Sequence, residues 1–176
     1  MLKPVLCVAI ALAFAVPVQA EESKDNRILS DSLGWLVGTW KDASSAADSQ
    51  SDATTMSFRR AAGDKVVLME GTYVAKEATW SFAAVFFYDP VKERIRVFSF
   101  NSDGQRHMGI LTAEGPGKLA WGMSGLLPDG SAERFVMKFV QGEGGTLDFH
   151  LKDRRPTDGE SDAGSTVTLR KTAVAG

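Results

Sequence analysis

The sequence predicts an all-β protein: an antiparallel up-and-down barrel of about 8–10 strands with a short N-terminal helix. Three observations predict it. From residue 54 onward, apolar residues recur mainly with period two. Turn signals rich in Gly, Pro and Asp separate the runs at hairpin spacing. The connections are too short for crossover helices, so consecutive runs pair with each other.

The first residues read as a targeting segment. Met1-Leu2-Lys3 gives a positive start, Val5 to Val16 is apolar, and Pro17 interrupts it. Val18 and Ala20 place small residues where an exported-protein peptidase reads. Residues 1–20 are therefore expected to be a cleaved signal peptide, with a periplasmic or secreted product. The apolar run is short for a membrane span, so no transmembrane segment is expected in the mature chain. Cys7 is the single cysteine and leaves with the leader, which excludes disulfides and thiolate chemistry. The remaining 156 residues suffice for one domain with its own core. The formal net charge is -2, and about -3 once Lys3 is removed. That balance excludes the basic footprint of a nucleic-acid binder.

In chain order, residues 21–28 read as a flexible N-terminus and residues 29–174 as the barrel domain. Arg27 to Leu36 is expected to form a helix capped by Ser30 or Asp31, leaning on one barrel end through Leu33 and Leu36. Gly38-Thr39-Trp40 opens the first strand. Residues 42–54 carry Ser, Ala and Asp, and read as a solvated loop or a lid over the open end. Thr54, Met56 and Phe58 then form one strand face, and Val67, Met69 and Tyr73 another. Trp80 to Tyr88 is apolar on both faces, which predicts cover on both sides. Arg94 to Phe100 returns to a turn at Asn101-Ser102-Asp103-Gly104, where Gly supplies positive φ. The same grammar gives strands over 105–112, 118–124, 131–140, 146–152 and 165–172.

No catalytic constellation stands out. Gly122-Met123-Ser124-Gly125 lacks the second glycine of a nucleophile elbow and a following helix. Asp158, Glu160 and Asp162 lack the closing Glu of a calcium loop. His150 shares a strand face with Asp148 and Lys152, and Lys152 repels a cation, so no metal ligand is assigned. His107 lies opposite Met108 and Ile110; Glu70, Glu114, Glu133 and Asp148 offer carboxylates of unknown convergence. The middle strands hold the aromatic supply. Trp80, Phe82, Phe98, Phe100, Met108, Trp121 and Met123 are the candidate ligand-binding residues, although period-two alternation lets only some face inward. A pocket for such a ligand is expected to exceed roughly 300 Å³.

Gly38-x-Trp40 on the first strand with Arg170 on the last resembles the calycin (lipocalin-like) arrangement. That resemblance implies that Gly38, Trp40 and Arg170 close one barrel end, with the guanidinium over the indole face. The chain further resembles a family of exported bacterial lipocalin-like domains without established activity, some fused to SnoaL-like domains. The resembling stretches are Leu33-Gly34-Trp35-Leu36-Val37-Gly38-Thr39-Trp40, Asp89-Pro90, Arg94-Ile95-Arg96-Val97-Phe98-Ser99-Phe100, Ser102-Asp103-Gly104, Pro128-Asp129-Gly130 and Arg155-Pro156-Thr157-Asp158-Gly159-Glu160. Tyr88, Asn101 and the Ser-rich loop depart from that pattern. The resemblance and the aromatic strands together imply a small apolar or amphipathic ligand inside the barrel and no cofactor. Haem on His150, as in nitrobindin-like calycins, is a weaker alternative. An isomerase or hydrolase using a barrel-mouth carboxylate or His, and an accessory domain for an unknown protein partner, are the competing functions.

Overall fold

The computed structural model describes residues 23–43, 53–74, 79–127, 129–153 and 164–172. The expected leader, most of the Ser-rich loop with its lid reading, and the Asp158–Glu160–Asp162 loop lie outside the described residues. Ten strands are present among the described residues: β1 Gly38–Asp42, β2 Ala53–Ala61, β3 Val66–Val74, β4 Thr79–Asp89, β5 Arg94–Asn101, β6 Arg106–Gly115, β7 Lys118–Leu126, β8 Ala132–Gln141, β9 Thr146–Asp153 and β10 Gly164–Lys171. Each pairs antiparallel with the next, and β1 closes on β10, giving a closed up-and-down barrel. The geometry is compatible with the calycin class.

Helix α1, Lys24–Leu33, starts earlier than the sequence suggests. Ser23, not Ser30 or Asp31, is the cap: its side chain accepts from the Asn26 N–H at 3.3 Å. Residues 24–28, expected to be a flexible leader to the domain, are therefore helical. A ten-residue helix is too short to persist on its own propensity, so packing must hold it. Leu29 and Leu33, one turn apart, and Leu36 in the following 3-10 turn are all fully buried. Each such leucine contributes about 1.5–3 kcal/mol of apolar burial. Asn26 Nδ2 donates to Gly63 O at 3.3 Å, and Lys24 meets Glu93 at 3.8 Å. Those partners sit in the β2–β3 and β4–β5 turns, so α1 covers the barrel end formed by these turns. This is the closed end.

The closed end is sealed at the seam between β1 and β10. Trp40 is 3% exposed, and its indole N–H donates to Leu36 O at 2.7 Å. The residue over its ring is Lys171, with Nζ 5.2 Å from the centroid, and not Arg170. Register explains the correction. Trp40 pairs with Lys171 and therefore shares its face, whereas Arg170 pairs with Lys41 and points out of the barrel. Gly38 is needed twice here: its φ is 129°, and a Cβ would lie 2.6 Å from Lys171 Cε.

Above this floor the interior is filled by rings. Phe139 meets Phe58 edge-on at 5.7 Å and Trp121 at 4.9 Å, and Trp121 stacks on Phe86 at 4.9 Å. Pairs of this kind add about 0.5–1.5 kcal/mol each beyond area burial. Leu147 and Leu169 complete the packing with no exposed surface. The core thus occupies the α1 half of the barrel. β4 is not covered on both sides as its composition suggested. Trp80, Phe82, Ala84, Phe86 and Tyr88 alternate with outward Val85 and Phe87, which are only half-buried. Phe87 lies against Phe98 on the outer wall, with centroids 5.9 Å apart.

Candidate functional site

The other half of the barrel is hollow. A cavity of about 220 Å³ opens there, at the end that carries the β5–β6 and β7–β8 turns. Trp121, Met123, Phe135, Met137 and Phe149 form its base and flank, with Met69 and Leu151 beside them. Trp80 and Phe82 stand on one side, their ring centroids 5.2 Å apart. The Trp80 indole N–H is fixed by Asp103 Oδ2 at 3.0 Å, which ties the ring to the β5–β6 turn. Asn101 and Gln105 brace that same turn: Asn101 Nδ2 donates to Gln105 Oε1 at 2.6 Å, and the Gln105 N–H donates to Asn101 Oδ1 at 3.0 Å.

One polar group interrupts the apolar wall. Ser99, His107, Gly125 and Glu133 stand opposite one another on successive strands β5, β6, β7 and β8, and all four share the inward face. Gly125 has no side chain, and one placed there would collide with the Cδ2–Cγ edge of the His107 ring. The imidazole fills that gap and reaches past β7 to Glu133, with Nε2 to Oε2 at 2.9 Å. His107 is 5% exposed, and the Glu133 side chain 28%. Phe135 meets the imidazole edge-on with centroids 4.8 Å apart, which limits its tilt. A carboxylate only accepts, so Nε2 carries the proton and Nδ1 of the neutral ring is left as an acceptor. The Trp121 Nε1–H is buried without a partner among the described residues.

The candidates read from the sequence divide between two surfaces. Trp80, Phe82, Trp121 and Met123 line the cavity, and Phe100, of outward parity and 48% exposed, borders its rim. Phe98 and Met108 do neither. They pair with each other on the outer wall, where Phe98 also carries Arg96 over its ring at 5.8 Å. Parity is the reason: Ile95, Val97 and Ser99 face inward on β5, so Phe98 between them must face outward. Met108, Ile110 and Leu126 form part of an exposed apolar strip on this outer wall. Such a strip is what a partner-binding reading requires.

His150 is also outside. It pairs with Lys138 and Thr166, and its Nδ1 lies 2.7 Å from Thr166 Oγ1. It is therefore placed neither to serve the cavity nor to hold a group inside the barrel. The interior histidine is His107. Among the described residues no group of three His, Cys, Asp or Glu side chains converges as a metal site, and no helix is long and apolar enough to cross a membrane.

Sequence reasoning named His107 and Glu133 separately and missed the pair. The available signal was a polar residue on an inward parity on each of two strands separated by a glycine-bearing third. Met69, Phe135, Met137, Phe149 and Leu151 were missed because they resemble any packed core residue. Comparison with known proteins adds no relative: no family model matches the chain, and no curated protein matches it.

Proposed function

We propose that this is an exported calycin-like binding module that holds one small, largely apolar molecule in the open half of its barrel. The observation that carries the reading is the half-filled interior: an apolar cavity of about 220 Å³ above an aromatic floor, with one polar pair in its wall. The volume falls short of the roughly 300 Å³ expected from the sequence and typical of drug-sized ligands. A long-chain or multi-ring ligand is therefore set aside, and the reading narrows to a molecule near one ring in size. A dry apolar cavity of about 150 Å³ is enough to take up benzene.

The test is native against denaturing mass spectrometry of the mature protein, purified after export without detergent. A reproducible excess mass released on denaturation supports the binding module and identifies its ligand. A clean unliganded mass, together with no uptake of small aromatic probes, removes it.

The His107–Glu133 pair gives the enzyme reading a specific basis. A carboxylate that orients an imidazole beside an apolar pocket is the arrangement of a general base. On this second reading His107 Nδ1 takes a proton from a small substrate, in an isomerase- or hydrolase-type reaction. Exchange of the α-protons of acetophenone in heavy water measures it directly. Exchange catalysed by the protein and lost in His107→Ala supports an enzyme; equal rates with and without protein exclude this proton transfer.

A further inference from the structure

We propose that the ligand of this cavity carries a hydrogen-bond donor, an O–H or N–H on a neutral body of about one ring, and that it donates to Nδ1 of His107. The proposal rests on the binding reading above and sharpens its ligand class.

Four observations lead to it. Glu133 accepts from Nε2 at 2.9 Å, which assigns the proton to Nε2 and leaves a lone pair on Nδ1 in the neutral ring. Nδ1 has no hydrogen-bond partner among the described residues, although the ring is only 5% exposed. Nδ1 is not among the buried unpartnered atoms, so it is open to water or to a ligand that donates to it. Gly125 lies against the Cδ2–Cγ edge, so the opposite Nδ1–Cε1 edge is turned away from β7, toward β5 and the cavity. On β5 the residue directly opposite is Ser99, which also lines the cavity and whose hydroxyl has no side-chain partner among the described residues.

Besides the buried, unpartnered N–H of the lining residue Trp121, the wall thus offers an acceptor at Nδ1 and a hydroxyl that both donates and accepts. A phenol-like group satisfies both: its proton goes to Nδ1 and its oxygen accepts from Ser99. A plain hydrocarbon fills the cavity but leaves Nδ1 unmet. A carboxylate fails for a different reason. It has no proton to give, and the Glu133 charge beside the imidazole repels it across a low-dielectric wall.

The experiment is calorimetric titration of the mature protein with phenol, toluene and benzoate, which share one ring and differ in polar group. Phenol is expected to bind roughly three- to tenfold more tightly than toluene, the net worth of one neutral hydrogen bond. Benzoate is expected to bind more weakly than either. In His107→Leu the phenol-to-toluene ratio falls to about one. Glu133→Gln, which keeps the volume, also lowers the ratio, because an amide no longer dictates which imidazole nitrogen holds the proton. Nitrogen-15 shifts of the unaltered protein give a check that needs no variant, since the chain has only two histidines. His107 should appear as the Nε2–H tautomer. Toluene binding as tightly as phenol, benzoate binding tightest, or an Nδ1–H tautomer overturns the proposal while leaving the cavity reading in place. Failure of all three probes to bind overturns both.

Discussion

The two halves of the barrel are built from the same strands and differ in what their inward positions hold. In the closed half, Phe58, Phe86, Trp121 and Phe139 pack ring to ring above leucines from α1. In the open half, Gly71, Ser99, Gly125 and Glu133 occupy inward positions between the apolar ones, and space remains. The packed rings thus lie at one end of the barrel and the cavity at the other. A small barrel can fill its interior or keep room for a ligand; this one does each in turn along its axis.

The largest expected effect tests that division. Phe139→Ala removes a ring that touches Phe58, Trp121 and Phe149, and should cost about 3–5 kcal/mol in urea unfolding. Phe82→Ala, at a partly buried ring beside the cavity, should cost clearly less. Equal losses would show that the open half carries as much of the fold as the closed one.

The next effect falls in the open half. Gly125→Ala forces a methyl group against both the Arg106 backbone carbonyl and the His107 ring, and should cost about 1–3 kcal/mol by overpacking. It should also displace the imidazole from Glu133, seen as a shift of the His107 ring proton resonances. Unchanged resonances would mean that the glycine is not what lets this pair form.

A smaller effect belongs to the seam. Lys171→Met keeps most of the side-chain stem but removes the charge over Trp40, and should cost about 0.5–1 kcal/mol by thermal or urea unfolding. Arg170→Met, on the opposite face, should be near neutral. The reverse order would restore Arg170 to the closing role that the calycin resemblance implies.

The smallest is a titration. Ser131 donates to Asp129 through its hydroxyl at 2.6 Å and its backbone N–H at 2.9 Å. These bonds hold the Asp129 carboxyl below its ordinary value of 3.8. The folded value is depressed, so the turn's contribution is present above the ordinary value and is lost as pH falls through the folded one. Ser131→Ala should move the Asp129 midpoint up toward 3.8, read from carboxyl carbon shifts. An unmoved midpoint would assign the depression to another cause.

Most of the fold was legible because the closed half obeys the alternation rule. Thr54, Met56 and Phe58 face inward as their spacing demands, and Gly104 and Gly130 adopt the positive φ that their turns require. The open half was legible only in part, because there the rule inverts. On β5, Arg94 and Arg96 alternate with inward Ile95 and Val97, so parity is clear at that end. Two residues later the same parity puts Ser99 inside and Phe98 and Phe100 on the other face. On β6, His107 and Gly109 face inward while Met108 and Ile110 face outward. Composition alone assigns large apolar residues to the interior, because burial usually drives them there. Extending the parity of Arg94 and Arg96 along β5 would have moved Phe98 outside and exposed Ser99 as an interior group. A hydrophobic pattern that reverses within one strand is thus itself a pointer to a cavity.

The ladder between β1 and β10 runs only from Trp40–Lys171 to Asp42–Leu169, extended by backbone bonds from Ala43 N to Thr168 O and from Thr172 N to Thr39 O. The β2–β3 ladder, by contrast, runs from Ala53–Val74 to Ala61–Val66. The barrel is therefore a ten-stranded sheet joined by a short zipper. When that zipper parts, two bare strand edges face solvent at once, each able to pair with another chain. Trp40 and Lys171 pair within that zipper, so the contact that closes the floor also helps to hold the sheet as a cylinder.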